Sequence, residues 1–548
     1  MSSPGTPLAT ALGDSLLRLL PPTAAGAQPL LQLAVAALSA ALERGDLGLD
    51  LEAEAPEPVP ADAWPGALLQ ALGASGWLAD ADALEQRPQA PIVRDGRWLR
   101  WRRWHLQLQD SLDQLLERAR SQPETAVPAP ALQAALKRAQ AAGLDQQQAE
   151  AVAAVLRHRL VLLLGGPGTG KTSTVVQLLA ASLRQWPQGR VQLAAPTGKA
   201  ATRLAEAVAT AAASGPLEPA LRQRLAAIPC GTLHRLLEAQ GEGRFRRGPR
   251  LPLELDLLVV DETSMVDLPL MAALLAALPA GATLVLVGDA GQLPPVGPGA
   301  VLEELCRPQR LQALGTAAVE LRTAYRNDGA IAAIAGQLRH QTSPASADPL
   351  RLLRPSLEAL PADSNLRWLQ APAQRLPEVV LQPLRQHQQW LAQLAADPTA
   401  EPASLLEALE HLIALSPVRQ GPWGVEALHR ALLGPWAKAP LARWPLGTPV
   451  LNRQNRPEQG LANGDIGLLI QRDGERRVLM AGGRLLHPAR LGEAEPALAL
   501  TVHKAQGSQY QRVLLLVPPS RHSDPRLLYT GLTRARQAVL LVTPEQAP

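Results

Sequence analysis

Lysine and most aromatic residues are scarce in this chain of 548 residues, which contains five lysines, three tyrosines and a single phenylalanine. Arginine supplies 48 of its 53 basic residues, so lysine has been replaced wherever another cation serves. The lysines and tyrosines that remain are therefore expected where chemistry requires them. Three of the five lysines and all three tyrosines fall inside the short motifs described below, namely Lys171, Lys199, Lys504, Tyr325, Tyr510 and Tyr529.

Cysteine is also rare, since Cys230 and Cys306 are the only two, and their spacing indicates neither a zinc site nor a disulfide framework. No apolar run approaches the length of a membrane span. The segment Met1–Pro21 lacks the basic start and long apolar core of a signal peptide. We therefore expect a cytoplasmic protein. The net charge of +4 is too small to identify a polyanionic partner.

The domain organisation follows from changes in pattern along the chain, which is too long for one hydrophobic core. Residues 1–125 are rich in leucine and alanine and predict a helical N-terminal domain. Its end overlaps a proline-rich stretch, Ser121–Pro130, that predicts a linker. Beyond it, short apolar strands alternate with amphipathic helices, which predicts an α/β fold. We place a first α/β domain at 126–312 and a second at 313–548.

Apolar runs of strand length recur in both predicted α/β domains, and such runs are typical of parallel strands buried on both faces. They are Leu160–Leu164, Val191–Ala195, Leu257–Val260 and Thr283–Val287 in the first domain, and Leu412–Leu415, Val513–Val517 and Val539–Val542 in the second. From about 444 to 495 the pattern differs, because glycine-containing turn signals separate short strands. We predict a small β-barrel inserted there into the second domain.

A phosphate-binding loop follows the first of these strands. Its glycines allow backbone N–H groups to surround phosphates at a helix N-terminus. Lys171 is expected to neutralise the β- and γ-phosphates, and the Thr172 hydroxyl to bind Mg²⁺. We therefore predict ATP as cofactor, with contacts from Gly165, Gly166, Pro167, Gly168, Thr169, Gly170, Lys171, Thr172 and Ser173.

Two acidic residues, Asp261 and Glu262, directly follow the apolar run Leu257–Val260. They would lie at the carboxyl end of a buried strand, where open α/β sheets bind ligands. We expect Asp261 to hold Mg²⁺ and Glu262 to activate the attacking water. Burying either acid without a metal or partner would be costly, which weighs against a purely structural role.

Several further motifs resemble those of superfamily 1 helicases, in order along residues 140–548. Gly288–Gly297 is similar to motif III, in which Gln292 would sense the γ-phosphate. Ala195–Ala201 resembles motif Ia, and Gly231–Arg235 resembles the DNA-contacting motif that follows it. The resemblance implies DNA contacts from Pro196, Thr197, Lys199, Thr232 and His234.

A glutamine upstream of the phosphate-binding loop resembles the adenine-binding glutamine of the same family. Gln148 matches best by spacing, while Gln146 and Gln147 stay open as alternatives.

The second domain carries three motifs of the same family. Leu321–Arg326 is similar to motif IV, Thr501–Gln509 to motif V and Leu528–Arg536 to motif VI. The resemblance implies arginine fingers at Arg326 and Arg534, a nucleotide contact at Gly507, and DNA contacts from Thr501, His503, Lys504 and Gln506. Gln509 stands where motif V usually has glutamate, which places one DNA or interdomain contact in question.

Other segments resemble the RecD group, including Asp261–Asp267, Arg419–Val425 and Ala90–Trp104. This resemblance implies two RecA-like P-loop motor domains, a helical N-terminal domain and an inserted SH3-like β-barrel. It also implies an ATP-dependent DNA helicase that moves 5′ to 3′, without a nuclease site of its own. Such a chain is the motor subunit of an exonuclease V complex with RecB-type and RecC-type partners, acting on single strands and duplex ends in repair and recombination.

Several alternatives stay open at this stage. Trp98, Trp101 and Trp104 fit core packing better than stacking on DNA or a partner. Phe245, in a possible β-hairpin pin at about 240–252, is either a wedge that splits the duplex or part of a solvated basic loop. Arg536 is either a third finger or half of an ion pair.

Two histidines and the function itself also admit alternatives. His234 and His503 are either DNA contacts or interdomain hydrogen-bonding residues. As a whole the chain could be a stand-alone helicase or a mainly regulatory ATPase. The short N-terminal region favours the subunit over the stand-alone enzyme.

Overall fold

Four β-sheets organise the part of the chain that the structure, a computed structural model, describes. The structure describes residues 7–22, 26–123, 126–215, 217–241, 243–323, 329–339, 348–454, 456, 459, 461–519 and 524–545. In this part of the chain no helix is both long and apolar enough to cross a membrane.

The N-terminal region combines helices with a small sheet. Its strands, in the spatial order β1-β4-β3-β2, are β1 (Gly48–Asp50), β2 (Leu78–Asp80), β3 (Ile92–Asp95) and β4 (Trp98–Trp101). Its helices are α1 (Pro7–Leu19), α2 (Gln28–Glu43), α3 (Gly66–Ala74) and α4 (Arg102–Arg120). The prediction of a helical N-terminal domain is therefore corrected to a mixed α/β unit. The strands are only three or four residues long, too short for a clear alternating pattern.

The first large sheet is wholly parallel and carries the phosphate-binding loop. Its order is β10-β5-β9-β8-β6-β7, formed by β5 (Leu160–Gly165), β6 (Val191–Ala195), β7 (Cys230–Thr232), β8 (Leu257–Val260), β9 (Thr283–Gly288) and β10 (Ala318–Leu321). Its helices are α5 (Ala129–Ala141), α6 (Gln146–Ala154), α7 (Lys171–Gln185), α8 (Gly198–Ser214), α9 (Pro219–Ala226), α10 (Leu233–Leu236), α11 (Leu268–Ala277), α12 (Val301–Leu305) and α13 (Pro308–Leu314). The central strands β5, β8 and β9 are buried at every residue, as their apolar runs predict.

The second large sheet is also parallel, in the order β11-β20-β19-β12-β18. Its strands are β11 (Leu366–Ala371), β12 (Leu412–Ser416), β18 (Ala499–Thr501), β19 (Tyr510–Leu516) and β20 (Ala535–Pro544). Its helices are α14 (Ala330–Arg339), α15 (Pro349–Glu358), α16 (Glu378–Ala396), α17 (Pro402–Leu409), α18 (Val425–Leu433) and α19 (Pro525–Leu532). The two parallel sheets confirm the predicted pair of α/β motor domains.

A small antiparallel sheet is inserted between β12 and β18, where the turn signals predicted a small β-barrel. Its order is β16-β15-β14-β13-β17, formed by β13 (Pro449–Asn452), β14 (Ile466–Arg472), β15 (Glu475–Met480), β16 (Arg484–Leu486) and β17 (Ala494–Pro496). The Asp473-Gly474 turn joins β14 to β15, with φ of +52° and +77° at these two residues. Positive φ at both central residues is the geometry that a two-residue hairpin turn requires.

Two of the predicted domain boundaries need correction. The helix α4 falls before the predicted boundary at 125, yet its buried face belongs to the core of the first motor domain through Leu108, Leu112 and Leu115. Strand β10 falls after the predicted boundary at 312, yet it pairs in parallel with β5. Both elements lie close to a predicted domain boundary in the sequence, and only their packing shows which core they complete.

Candidate ATP site and interdomain cleft

The phosphate-binding loop has the conformation that its glycines allow. Gly168 and Gly170 both have φ of +78°, which other residues adopt only at a cost. A Cβ atom on Gly165 would lie 2.5 Å from Thr169 Oγ1, so a side chain there would collide with the loop. The helix α7 begins at Lys171, directly after the loop, and presents its N-terminal dipole to this concavity. The loop and helix therefore form an anion site.

Lys171 and Thr169 are engaged within the loop itself. Lys171 Nζ donates to the carbonyl oxygens of Gly165 at 2.6 Å and Gly166 at 2.9 Å. Thr169 Oγ1 donates to the same Gly166 carbonyl at 2.8 Å. Thr172 and Ser173 lie in the first turn of α7, with Ser173 exposed and Thr172 partly so. Pro167 is also partly exposed at the rim.

Gln148 supports the loop from behind. Its Nε2 donates to the Thr169 carbonyl at 3.0 Å, and its Oε1 accepts from the Asp145 N–H at 3.0 Å in a capping box. In this structure Gln148 positions the loop, and its predicted adenine contact, which would require these hydrogen bonds to be exchanged, stays a prediction. Of the two alternatives, Gln146 bonds Glu150 and Gln147 accepts from the Arg322 N–H.

The acidic pair lies at the end of β8. Burial and the adjacent Glu262 carboxylate raise the pKa of Asp261, while the nearby Lys171 opposes that shift. Asp261 Oδ1 also accepts from the Glu262 N–H at 2.8 Å. Glu262 has φ of +51°, a left-handed conformation that costs an L-residue about 1–2 kcal/mol. The backbone is thus held in an unfavourable geometry at the predicted catalytic glutamate.

The loop after β9 joins the two motor domains. Asp289 Oδ2 accepts from the Tyr529 hydroxyl at 2.7 Å and lies 3.4 Å from Gln292 Nε2. Burial and Asp289 raise the pKa of Tyr529 well above its usual value, so this hydroxyl stays protonated and donates. Gln292 Oε1 is buried and has no hydrogen-bond partner among the described residues. Gln292 and Tyr529, which lies on the motif VI helix α19, thus both approach the Asp289 carboxylate.

Leu293 fixes the same loop to the second motor domain. Its N–H donates to Thr530 Oγ1 at 3.0 Å, and its carbonyl accepts from Gln506 Nε2 at 3.0 Å. Its side chain belongs to the buried core of the second domain. Gln506 is therefore an interdomain residue in this structure, with its amide buried and bonded to Leu293, and its predicted DNA contact stays a prediction.

Of the two predicted arginine fingers, the structure describes Arg534. Arg534 is buried, and its guanidinium donates to the Thr530 carbonyl at 3.1 Å and to the Ser508 carbonyl at 3.2 Å. Its charge also interacts with Glu262 and Asp289, which places it on the side of the second domain that faces the ATP site. Arg326 lies outside the described residues.

Arg339, the last residue of α14, was missed by sequence reasoning. It pairs with Glu320 at 3.0 Å and lies 4.0 Å from Asp289. A Cβ atom on Gly166 would come within 3.8 Å of the Arg339 guanidinium and 3.1 Å of the Tyr529 hydroxyl. A cation from the second domain therefore reaches the phosphate-binding loop. No spacing pattern marks Arg339, since only the fold brings it there.

Motif Ia packs against motif V across the cleft. Thr197 caps α8 by accepting from the Ala200 N–H at 3.2 Å, and Pro196 beside it is partly exposed. Gly507 has φ of +69°, which favours glycine, and a Cβ atom there would lie in ordinary van der Waals contact with Ala200 Cβ, at 3.4 Å. Gly507 therefore lies against α8, and its carbonyl accepts from Arg203. Its predicted nucleotide contact stays a prediction.

Lys199 is oriented across the same cleft. Its Nζ lies 5.4 Å from the ring centroid of Tyr510, at cation–π distance. Burial, together with the neighbouring Arg203, lowers the pKa of Lys199 to about 7. Its predicted DNA contact is thus replaced, in this structure, by a contact between domains.

An ion network closes the cleft at its edge. Arg203, on α8, pairs with Glu410 at 2.5 Å and donates to the carbonyls of Gly507 and Gln509. Glu410 also pairs with Arg536 at 3.1 Å, and Arg536 Nε donates to Gln509 Oε1 at 3.3 Å. Of the two alternatives for Arg536, the structure shows the ion pair.

The remaining candidate DNA residues lie around the cleft. Thr232 Oγ1 caps α10, and His234 beside it is exposed, with its ring 6.0 Å from that of Phe245. Phe245 packs against the first motor core, which makes it an anchor of the basic loop and not an exposed wedge. In the predicted pin, at about 240–252, the described residues include two isolated antiparallel bridges, Ala239 to Phe245 and Gly248 to Leu251, and the Gln240 N–H donates to the Arg244 carbonyl at 2.9 Å.

Motif V presents its other polar residues near the small sheet. Thr501 Oγ1 accepts from the Lys504 N–H at 3.3 Å, and Lys504 Nζ pairs with Glu495 at 3.0 Å. His503 is half-buried, and this burial lowers its pKa. Lys504 therefore lies at the surface with an acidic partner.

The tryptophans of the N-terminal region pack as the more common alternative predicted. Trp101 contacts the N-terminal core and Trp104 the first motor core. Trp98 is partly exposed, with the guanidinium carbons of Arg97, Arg100 and Arg307 at 5.4–5.7 Å from its ring.

Comparison with known proteins identifies two families along the chain. Residues 148–298 match the AAA domain family, and residues 496–542 match the UvrD-like helicase C-terminal domain family. These matches cover the phosphate-binding loop through motif III in one domain, and motifs V and VI in the other. Among solved structures, Bacteroides Pif1 bound to ssDNA aligns with a TM-score of 0.41 and 19% identity, over 73% of this chain and 92% of that one.

Curated relatives match nearly the whole length. The RecBCD enzyme subunit RecD of Mycolicibacterium smegmatis is 36% identical, over 94% of this chain and 89% of the relative. The same subunit of Mycobacterium tuberculosis is 37% identical, over 94% and 87%. The ATP-dependent RecD2 DNA helicase of Deinococcus radiodurans is 33% identical but matches over only 72% and 48%. The chain belongs to the family of RecBCD enzyme subunits named RecD.

Proposed function

We propose that this chain is an ATP-dependent DNA helicase that moves 5′ to 3′ along a single strand, as the motor subunit of a RecBCD-type exonuclease V complex. One observation carries the proposal. The phosphate-binding loop faces a cleft that is closed by Tyr529 and Arg339 of the second domain. A nucleotide bound at the loop would therefore contact residues of both domains at once. Such coupling is what converts hydrolysis into relative domain movement.

The chain's own residues divide the work of hydrolysis. Lys171 would leave the carbonyls of its loop for the β- and γ-phosphates, and Glu262 would accept the proton of the attacking water. Gln292 would contact the γ-phosphate and couple its presence to the position of α19. Arg534, together with Arg326, would stabilise charge on the transferred phosphoryl group.

Mg²⁺ fits the oxygen donors present. The Thr172 hydroxyl and the Asp261 carboxylate are hard ligands, and Mg²⁺ usually keeps several waters beside one or two protein oxygens. Burial and the neighbouring Glu262 carboxylate raise the pKa of Asp261, and a bound cation would offset both effects. When bound, Mg²⁺ would neutralise phosphate charge and lower the pKa of this carboxyl.

The DNA track would run over the surface formed by both domains. We assign it Pro196, Thr197, Thr232, His234, Thr501, His503 and Lys504. Affinity from phosphate contacts and stacking would be salt-sensitive and tolerant of sequence. We propose that the small sheet at about 444–495 is an SH3-like barrel beside this track. The N-terminal unit would bind the RecC-type partner, and degradation of DNA ends would belong to the RecB-type partner.

Unwinding of tailed duplexes tests the proposal directly. Purified chain, alone and with RecB-type and RecC-type partners, is given duplexes with 5′ or 3′ single-stranded tails. Unwinding from the 5′ tail that becomes robust only with the partners supports the subunit. Strong unwinding by the isolated chain, unchanged by partners, would identify a stand-alone helicase, and a 3′ preference would overturn the polarity.

The variant Lys171→Ala provides the control for the ATP site. We expect it to lose DNA-stimulated ATP hydrolysis while its thermal unfolding stays near that of the wild type. Retained hydrolysis would refute the site assignment. Hydrolysis in the wild type without any unwinding, even with partners, would favour a mainly regulatory ATPase.

A further inference from the structure

The carboxylate of Glu495 is surrounded by three cations near the base of the small sheet. Its Oε1 lies 2.6 Å from a guanidinium nitrogen of Arg419 and 3.1 Å from one of Arg453, and its Oε2 lies 3.0 Å from Lys504 Nζ. We call these four residues the Glu495 cluster. Of these four residues, only Lys504 is predicted from the sequence to contact DNA.

The members of the cluster come from separate segments. Glu495 lies on β17, and Arg453 directly follows β13 of the same small sheet. Arg419 lies in the loop after β12, and Lys504 in the turn after β18, both in the second motor domain. The fold therefore gathers three cations at one point from two sheets, although the sequence gives no spacing that would reveal it.

The cluster is arranged with its cations outward. The side chains of Arg419, Arg453 and Lys504 are 48%, 45% and 35% exposed, whereas that of Glu495 is 18% exposed. Burial raises the pKa of Glu495, but hydrogen bonds from Arg419 and Lys504 outweigh this effect and lower it overall. The carboxylate is thus ionised at neutral pH and sits beneath a positively charged surface.

Charge balance leaves the cluster positive. Besides Glu495, the one acidic side chain paired with these cations within the described residues is Glu426, 3.0 Å from Arg419 Nε. Three cations therefore face two carboxylates. Two guanidinium groups and an ammonium directed at one pair of oxygens also match the contacts that a phosphodiester attracts. Ion pairs as exposed as these contribute little to stability, so a DNA phosphate can replace the Glu495 carboxylate.

We propose that the Glu495 cluster is a binding site for a phosphate of single-stranded DNA, in which Glu495 holds the phosphate position until the strand arrives. The proposal rests on the proposed function as a DNA motor. Glu495 keeps Arg419, Arg453 and Lys504 converged, and the DNA phosphate displaces it. Arg419 and Arg453 become DNA-binding residues, and Glu495 a competitor that weakens binding.

A purely structural role for the cluster makes the opposite prediction. If Glu495 only ties the small sheet to the second motor domain, removing its charge loosens the track and weakens DNA binding. If Glu495 competes with phosphate, the same change strengthens binding. The sign of the effect therefore separates the two roles.

The test measures the affinity of the full chain for a fluorescent oligothymidine by anisotropy, across a series of salt concentrations. For Glu495→Gln, which keeps shape and removes charge, we expect roughly fivefold tighter binding at low salt. For Arg453→Gln we expect weaker binding, and a slope of log affinity against log salt that is smaller by about one. Glu378→Gln and Arg385→Gln, from an exposed ion pair on α16, are the matched controls and should leave both quantities unchanged.

Each outcome decides the proposal. Glu495→Gln that binds as the wild type does, or more weakly, overturns it. Should that variant unfold at a lower temperature, Arg453→Gln decides instead, and an unchanged salt slope overturns it. A wild-type chain that hydrolyses ATP and binds the oligothymidine, with both variants unchanged, refutes the cluster alone. A wild-type chain that binds no oligothymidine overturns the proposed function as well.

Discussion

At the scale of single residues, a buried imidazole sets a limit on stability in acid. His387 lies on α16, its Nδ1 has no hydrogen-bond partner among the described residues, and burial lowers its pKa to about 4. Its unfolded pKa is near 6.5, so below that pH the unfolded chain takes up a proton that the folded chain resists. The contribution of His387 to the free energy of unfolding is therefore lost as the pH falls from about 6.5 to about 4.

The variant His387→Phe tests this account. Between pH 7 and pH 5 we expect the free energy of unfolding of the variant to fall by about 2 kcal/mol less than that of the wild type, because phenylalanine cannot take up the proton. Urea midpoints of both proteins at the two pH values provide the measurement. An equal loss in wild type and variant would show that other groups govern the acid response. His411, 6.0 Å away and half-buried, offers a second variant for comparison.

The sequence predicts residues best where chemistry acts through the backbone. The phosphate-binding loop and the Asp261-Glu262 pair lie where their motifs place them, because glycine conformation and strand ends are local properties. Gln506 and Gly507 belong to a motif as well, yet they contact the other domain. Their roles depend on which surface lies opposite, and no local pattern carries that information.

At the scale of elements, two helices and a strand are held together by Glu410. This residue follows α17 and pairs with Arg203 of the first domain and Arg536 of the second. Gln509 stands where motif V usually has glutamate. We infer that Glu410 supplies the carboxylate that position 509 lacks. Nothing in the sequence around Glu410 indicates this, since its partners are far away along the chain.

A charge-relocation experiment tests the role of Glu410. We expect Glu410→Gln to raise the DNA concentration for half-maximal ATPase stimulation roughly threefold to tenfold, because the cleft loses its ionic link. Adding Gln509→Glu should restore much of the loss, since Arg536 Nε already lies 3.3 Å from the side chain at 509. If the double variant behaves as the single one does, the two positions are not equivalent.

The motif VI helix offers a second test at this scale. The Tyr529 hydroxyl donates to Asp289 across the cleft at 2.7 Å, and both groups are buried. Tyr529→Phe leaves a buried carboxylate with one fewer donor, which typically costs 1–3 kcal/mol. We expect slower DNA-stimulated hydrolysis with little change in ATP affinity. A lower ATP affinity with an unchanged maximal rate would place Tyr529 in nucleotide binding instead.

At the scale of the whole molecule, the N-terminal unit and the first motor domain share a boundary that truncation can locate. A chain beginning at residue 102 keeps α4, and one beginning at 126 loses it. The shorter chain exposes the surface that Leu108, Leu112 and Leu115 cover, at roughly 2 kcal/mol for each leucine. We expect the 102–548 chain to be folded and the 126–548 chain to aggregate, as measured by circular dichroism and size-exclusion chromatography. Equal behaviour of both would refute the boundary.

The two α/β domains were predictable because parallel strands that are buried on both faces appear in the sequence as apolar runs. The strands of the N-terminal unit were not, since three or four residues carry too little pattern. The membership of α4 and β10 in the first core was equally hidden. Each lies close to a predicted domain boundary in the sequence, and only tertiary packing decides which core such an element joins.

The loop from Asp289 to Gly299 is fastened to three bodies at once. The second domain holds Leu293 by its main chain and its side chain, and the Gly299 N–H donates to the Gly45 carbonyl of the N-terminal unit at 3.0 Å. Leu293 is thus bound to the second domain although its chain segment belongs to the first. If the cleft opens during ATP hydrolysis, we expect Leu293 to move with the second domain and the far end of the loop to displace Gly45. The loop would then transmit movement at the ATP site to a partner bound on the N-terminal unit.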